Sequence, residues 1–371
     1  MNQGSTEPQG VPTNNKSVLI YRSSIDGIMR ILRLLIVNYQ NTAFVRELTY
    51  KGYDITVAST RESRRLIIDV DLSDFDLIYF AKFSPPQWDD SQFVFHRAEA
   101  PVIYAFHSNV LIPNAHRFTN YAYNFLSAVK LAWIKLARTI DAFHVLNTRE
   151  QRILTRLGFR SFCVPLGVDS DRFKLVEKDK EFKIVFISPR YQKGADLLPR
   201  IVPEILKRAP SCKFILSGRG FLTQYFTSLK ESFNDNVEVC ERLPDDQLAS
   251  LLGSANVLLF PSRYETFGSV VLEALCCGSP IVCFDIAGAP RDILKTENVS
   301  VIASPFDIRK TADGVVFFYR LWREDAGGYQ FVSSECRRIA LRYDWRIVSD
   351  HFDHMFRGVL RNQKRNRLPR G

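Results

Sequence analysis

The run Asn256-Val257-Leu258-Leu259-Phe260-Pro261-Ser262, followed by Glu265-Thr266-Phe267-Gly268-Ser269-Val270-Val271-Leu272-Glu273, decides the reading of this chain. The apolar residues to Phe260 read as a strand that Pro261 stops. Ser269 to Cys277 is apolar on every side except Glu273 and ends at Gly278, a normal place for a helix to stop, so it reads as a buried helix. Glu273 is then a lone carboxylate inside that helix and needs hydrogen-bond donors, from the protein or from a ligand. Gly268 lets backbone approach closely, and the helix start offers free N–H groups to an anion. Two carboxylates that can bind hydroxyls, Glu265 and Glu273, flank this anion site, a pattern that suits a nucleotide sugar. Spacing alone leaves equally open an Arg partner for Glu273 and a solvated loop position for Glu265.

Outward from this stretch, strands and helices alternate. Phe182 to Ile187, Lys213 to Ser217 and Pro280 to Phe284 read as further strands of the same half. In the other half, Ser17 to Tyr21 reads as a short strand. Ile28 to Leu48 has apolar residues at helical spacing, and Ile55 to Ala58 as the next strand completes a strand–helix–strand unit. Leu77 to Phe80, Val102 to Phe106 and Ala142 to Leu146 follow as strands, with a helical stripe from Phe118 to Ile140 between the last two. The fold class is therefore α/β, with two doubly wound parallel sheets.

The chain has 371 residues, which suits two domains rather than one core. We expect a disordered tail over 1–15, an N-terminal domain over 16–172, a linker over 173–181, a C-terminal domain over 182–345 and a basic tail over 363–371. With 46% hydrophobic and 24% charged residues the composition is that of a soluble globular protein. No apolar run reaches the ~18–20 residues of a membrane span, and the polar first fifteen residues lack a signal-peptide core, so the expected location is cytoplasmic. The seven cysteines lack C-x2-C spacing and read as reduced core thiols. The net charge is +10, and six of the ten excess charges lie after Asp353, from Arg357 to Arg370. Such a tail, with Lys130, Trp133, Lys135 and Arg138 on the 118–140 stripe, leaves peripheral contact with a membrane inner face open beside the commoner solvated surface. No nucleic-acid motif accompanies it.

Ser188-Pro189-Arg190-Tyr191-Gln192-Lys193-Gly194 follows a strand, where ligands bind in such sheets. Arg190 and Lys193 suit phosphate oxygens, although a basic loop pair is more often solvated. His107 ends the strand begun at Val102. A lone His is more often structural.

The stretch from Phe260 through Gly278-Ser279-Pro280 to Gly288-Ala289-Pro290-Arg291-Asp292 resembles the E-x7-E signature of retaining GT-B glycosyltransferases of family 4, the glycosyl transferases group 1. The resemblance implies two Rossmann-like domains facing across a cleft, with a C-terminal helix, 346–362 here, crossing back onto the first. It implies a metal-independent hexosyltransferase. Glu265 would hold the donor sugar and Glu273 the ribose. Arg190 and Lys193 would balance the leaving diphosphate, and His107 would bond the reacting sugar. Thr266, Phe267, Gly268, Ser269 and Gly218 would line the nucleotide pocket, with Gly27 near phosphate or acceptor. Asp292 stands where the family usually has Glu. The implied partners are a UDP- or GDP-sugar donor and a saccharide or lipid-linked acceptor, with no metal and no separate cofactor. Alternative readings are a nucleotide-sugar epimerase or hydrolase, and a non-catalytic nucleotide-sugar-binding protein.

Overall fold

Long apolar runs that cannot alternate between a wet and a dry face belong in sheets covered on both sides. The structure, a computed structural model, describes residues 32–37, 41–58, 71–82, 99–107, 140–178 and 180–367, with side chains up to Arg361. Within these residues, twelve strands form two six-stranded sheets.

The first sheet contains β1 (Leu32–Val37), β2 (Tyr53–Ala58), β3 (Leu77–Lys82), β4 (Val102–Phe106), β5 (Ala142–Val145) and β6 (Ser161–Cys163). Their spatial order is β2-β1-β3-β4-β5-β6, parallel at every pairing. The helix expected over Ile28 to Leu48 is corrected here. Leu32–Val37 is an interior strand, in register with both Tyr53–Ala58 and Leu77–Phe80. The helix proper, α1, is Thr42–Tyr50, capped by the Asn41 side chain, which accepts from the Phe44 N–H at 2.9 Å. A short apolar run such as Leu34 to Val37, with Arg30 and Arg33 before it, fits a helix or a buried strand equally, and only neighbours on both edges decide. The first strand–helix–strand unit is thus displaced along the chain. The predicted strand Ser17 to Tyr21, the 1–15 tail, Gly27, the stripe before Ile140 and the side chains of the basic tail lie outside the described residues.

The second sheet contains β7 (Lys183–Ile187), β8 (Lys213–Ser217), β9 (Val237–Cys240), β10 (Val257–Phe260), β11 (Ile281–Phe284) and β12 (Ser300–Ala303). Their order is β12-β11-β10-β7-β8-β9, again all parallel. Chain direction across the sheet reverses between β7 and β10, which opens a crevice at their carboxyl ends.

The remaining helices are α2 (Thr148–Arg156), α3 (Leu198–Leu206), α4 (Thr223–Ser232), α5 (Asp245–Ser254), α6 (Ser269–Cys276), α7 (Ile308–Glu324), α8 (Ala326–Leu341) and α9 (Trp345–Arg367). On one face of the second sheet, Ile201 and Ile205 of α3 and Val315 and Phe318 of α7 join Phe186 and Phe214. On the other, Leu272 and Leu275 of α6 and Ile339 of α8 join Leu258 and Ile281. No helix of the described residues is long and apolar enough to cross a membrane.

The chain passes between the sheets twice at one place. Val168 N–H donates to Tyr343 O at 2.9 Å and Trp345 N–H to Val168 O at 3.1 Å. A Cβ on Gly167 would lie 2.5 Å from the Trp345 ring, so only glycine lets the two passages touch. Beyond this crossing α9 lays Val348, Phe352, Met355, Phe356 and Val359 on the first sheet, against Phe44 and Tyr79. Each such buried side chain contributes about 1.5–3 kcal/mol, so the last helix of the chain is integral to the first domain's core.

Candidate active site

Two loops meet at the β7/β10 crevice. The loop after β7 carries Arg190 and Lys193, and the loop after β10 carries Glu265 to Gly268. Lys193 Nζ forms an ion pair with Glu265 Oε1, and its ammonium lies 5.4 Å from the centre of the Phe260 ring. The two residues are 72 positions apart in sequence, and the topological reversal alone brings them together.

A second contact clamps the same loops. Arg263 makes a two-pronged bond to Asp196, at 2.8 and 2.7 Å, and lies 3.8 Å over the Tyr191 ring. Its backbone N–H donates to Gln192 O at 2.8 Å, and Gln192 Nε2 donates to Tyr264 O at 3.2 Å. With the Arg263 side chain only 5% exposed, this pair is a buried structural brace. Gly194, at φ +81°, would place a Cβ 2.3 Å from Pro261 O, so glycine is required for the loops to approach.

Gly268, at φ +92°, precedes α6 and caps it without any side-chain bond. The first-turn amides of α6 are thus left without a capping side chain, as an anion site needs. Gly218 packs against Ser188 and Pro189, so the β8 loop supports the β7 loop from beside. Ser188 itself sits at φ +80°, an unusual backbone state for a residue with a side chain. No sequence pattern signals it.

The carboxylates differ in environment. Glu265 is 5% exposed and paired as above. Glu273 is half-buried and has no ion pair or hydrogen bond to its carboxylate among the described residues. Burial first and the Asp245 carboxylate second push its pKa up to about 7, against the pull of Lys193 and Arg172. Among the described residues, no Arg side chain bonds the Glu273 carboxylate as the spacing had left open. Arg190 is exposed, and its side chain makes no contact of this kind among the described residues.

The first domain contributes its own carboxyl-end edge. His107 closes β4 and is 8% exposed. Its Nε2 is 3.2 Å from the Tyr79 hydroxyl, which is 2.7 Å from His144 Nδ1. Desolvation chiefly, and His144 second, hold its pKa well below the usual imidazole value. Beside it, after β5, Asn147 Nδ2 donates to Thr266 O at 3.0 Å across the two domains. The Thr148 hydroxyl donates to Asp292 Oδ1 at 2.8 Å. The Asn147 carbonyl oxygen also caps α2, accepting from Glu150 N–H at 2.9 Å. Arg190, Lys193, Gly218, Glu265, Thr266, Phe267, Gly268, Ser269 and Glu273 therefore gather at one end of the second sheet. His107 stands at the matching edge of the first. Tyr79, His144, Asn147 and Thr148 are not singled out by sequence, since none belongs to a recognisable pattern. For Asn147 a signal exists, as a helix cap following a strand.

A sequence model of the family described as "Glycosyl transferases group 1" matches residues 168–325. The chain is 29% identical over 185 residues to a phosphatidylinositol N-acetylglucosaminyltransferase subunit of Arabidopsis thaliana, covering 47% of this chain and 41% of that protein. It thus spans less than half the length of that relative. It is 23% identical over 304 residues to a phosphatidyl-myo-inositol mannosyltransferase of Mycobacterium leprae, covering 80% and 76% of the two chains. Its fold is similar to that of Anabaena HepE solved with UDP and glucose, with a TM-score of 0.65 at 17% identity over 88% of this chain and all of the other. Residues 168–325 thus carry a glycosyl transferases group 1 region, and the two parallel six-stranded sheets have the GT-B fold.

Proposed function

We propose that this protein transfers a sugar from a nucleotide diphosphate donor to a saccharide or lipid-linked saccharide acceptor, with retention of anomeric configuration and without a metal. The observation that carries the reading is the Lys193–Glu265 pair across the β7/β10 crevice, with exposed Arg190 on the loop of Lys193 and, on α6, Glu273, which has no ion pair among the described residues. Breaking the bond between sugar and diphosphate builds negative charge on the leaving oxygens. Lys193, Arg190 and the first amides of α6 are the cationic and dipolar groups that would face that charge, and they would stabilise the transition state more than the ground state. Glu265 would accept from hydroxyls of the transferred sugar, and Glu273, which has no donor among the described residues, from the ribose. His107 would bond the reacting sugar from the other sheet. The lipid-linked acceptor is supported by the two relatives whose names specify phosphatidylinositol substrates.

The test is a thermal-shift and calorimetric panel of UDP, GDP and their sugars. One nucleotide diphosphate should raise Tm by mass action, and Lys193→Ala should abolish that rise measured against the variant's own unliganded Tm, which itself falls because Glu265 loses its partner. If no nucleotide diphosphate binds, or Lys193→Ala binds it normally, the site is misassigned. Product formation from donor alone, at the rate seen with acceptor, would favour the epimerase or hydrolase alternative.

A further inference from the structure

Tyr79, His144 and His107 form a hydrogen-bonded chain whose proton positions are determined by its ends. His144 is fully buried within β5, and its Nε2 lies 2.8 Å from Val164 O. A carbonyl only accepts, so His144 Nε2 carries hydrogen. Burial keeps this imidazole neutral, with its pKa lowered to about 4, and Nδ1 is therefore an acceptor. The Tyr79 hydroxyl 2.7 Å away must donate its single proton there. Toward His107 Nε2, at 3.2 Å, the Tyr79 oxygen can then only accept. His107 Nε2 consequently carries hydrogen as well.

The sheet makes this geometry. Tyr79 is in register with Ile103, and His144 with Ala105, so both rings project from the same face, diagonally across β4. Ala105 between them carries only a methyl group, leaving room for the phenol to reach. His107, one residue past the end of β4, lies against Tyr79 on that face too. Phe352 of α9 covers the pair, its ring 6.0 Å from Tyr79 and 5.0 Å from His144, which excludes water from the chain.

We infer that Tyr79 and His144 are positioning residues that fix His107 as its Nε2–H tautomer, making Nδ1 an obligate hydrogen-bond acceptor. Resting on the proposed function, this deepens it: His107 accepts a hydrogen bond from a hydroxyl of the transferred sugar and donates no proton to the leaving group. A satisfied core histidine would need only partners. This chain also dictates which partner may approach, namely one that donates.

Long-range proton–nitrogen NMR of the full-length 15N-labelled protein tests the assignment without any ligand, with His107 identified by His107→Gln. The expected spectrum shows His107 protonated at Nε2 and bare at Nδ1. Tyr79→Phe, which keeps the ring and its packing, should let His107 sample both tautomers. Protonation at Nδ1 in the unaltered protein, or an unchanged tautomer in Tyr79→Phe, overturns the inference. With UDP-glucose as the probe, His107 Nδ1 should shift where UDP alone leaves it in place. Tyr79→Phe should weaken UDP-glucose roughly two- to tenfold, the worth of one hydrogen bond, and leave UDP unchanged. An unshifted Nδ1 with UDP-glucose bound removes the acceptor role. Failure of both UDP and GDP to bind would overturn the donor-site reading and leave the tautomer assignment, which needs no ligand, standing.

Discussion

Lys193 is the residue on which two requirements converge: it holds Glu265 in the resting protein and would face diphosphate in the loaded one. Glu265→Gln should therefore weaken binding of a donor sugar more than binding of the free nucleotide, whereas Lys193→Ala should weaken both. Paired calorimetric titrations separate the two cases. Glu150 is a different kind of residue. It is 1% exposed on α2, and neither carboxylate oxygen reaches a hydrogen-bond partner among the described residues. Burial pushes its pKa from 4.5 up to about 8, with Asn147 and Arg149 pulling the other way. The folded state thus retains a proton between those two values that the unfolded state has released. Stability from this group is complete below 4.5 and is lost as pH rises through 8. Glu150→Gln, which cannot ionise, should match the parent Tm at pH 5 and exceed it by roughly 5 °C at pH 8.5. A constant difference across that range would show that the carboxyl is solvated. Gly194→Ala should lower Tm at every pH, because its backbone state and the Pro261 carbonyl both exclude a methyl group.

At the scale of elements, α9 carries the most consequence. It follows the second domain in sequence and completes the core of the first in space. Phe352→Ala would leave a cavity among Phe44, Tyr79, His144 and Trp345. A loss of about 3–5 kcal/mol is expected, with urea melts showing the first domain yielding before the second. Strands differ in how openly the sequence announces them. β4 reads from Val102 to Phe106 with both ends right, because five apolar residues lie between Pro101 and a polar stretch. β6, β9 and β12, of three or four residues, do not stand out. All three are edge strands, paired on one side only, and short edges carry too little pattern to be told from loop. β1 is obscured for the opposite reason. Its largely apolar run, with α1 only five residues beyond it, merges into one helical pattern.

At the scale of the molecule, the cap of α2, Asn147, and its first residue, Thr148, tie the first domain to the loops of the second. Asn147→Asp keeps the acceptor that caps α2 and replaces the amide that reaches Thr266 O, so a carboxylate would face a carbonyl. Thr148→Val deletes the hydroxyl bonded to Asp292. The double variant should keep its fold and show a larger radius of gyration by solution scattering, with faster proteolysis near Gly167. Each hydrogen bond of this kind contributes about 0.5–1.5 kcal/mol, enough to shift an open–closed balance severalfold. An unchanged radius would mean that the crossing at Val168 and Trp345 alone sets the domain arrangement.

The sequence by itself determined the alternation of strands and helices, the second sheet's interior strands and the carboxylates at 265 and 273. These follow from local periodicity, proline and glycine stops, and a spacing shorter than one loop and one helix. Only the tertiary structure decided that Leu32–Val37 is a strand, that Lys193 meets Glu265, and that Tyr79 joins His107 to His144. Each of those depends on which strands lie side by side, and pairing in a parallel sheet is settled by burial of whole faces between residues tens of positions apart.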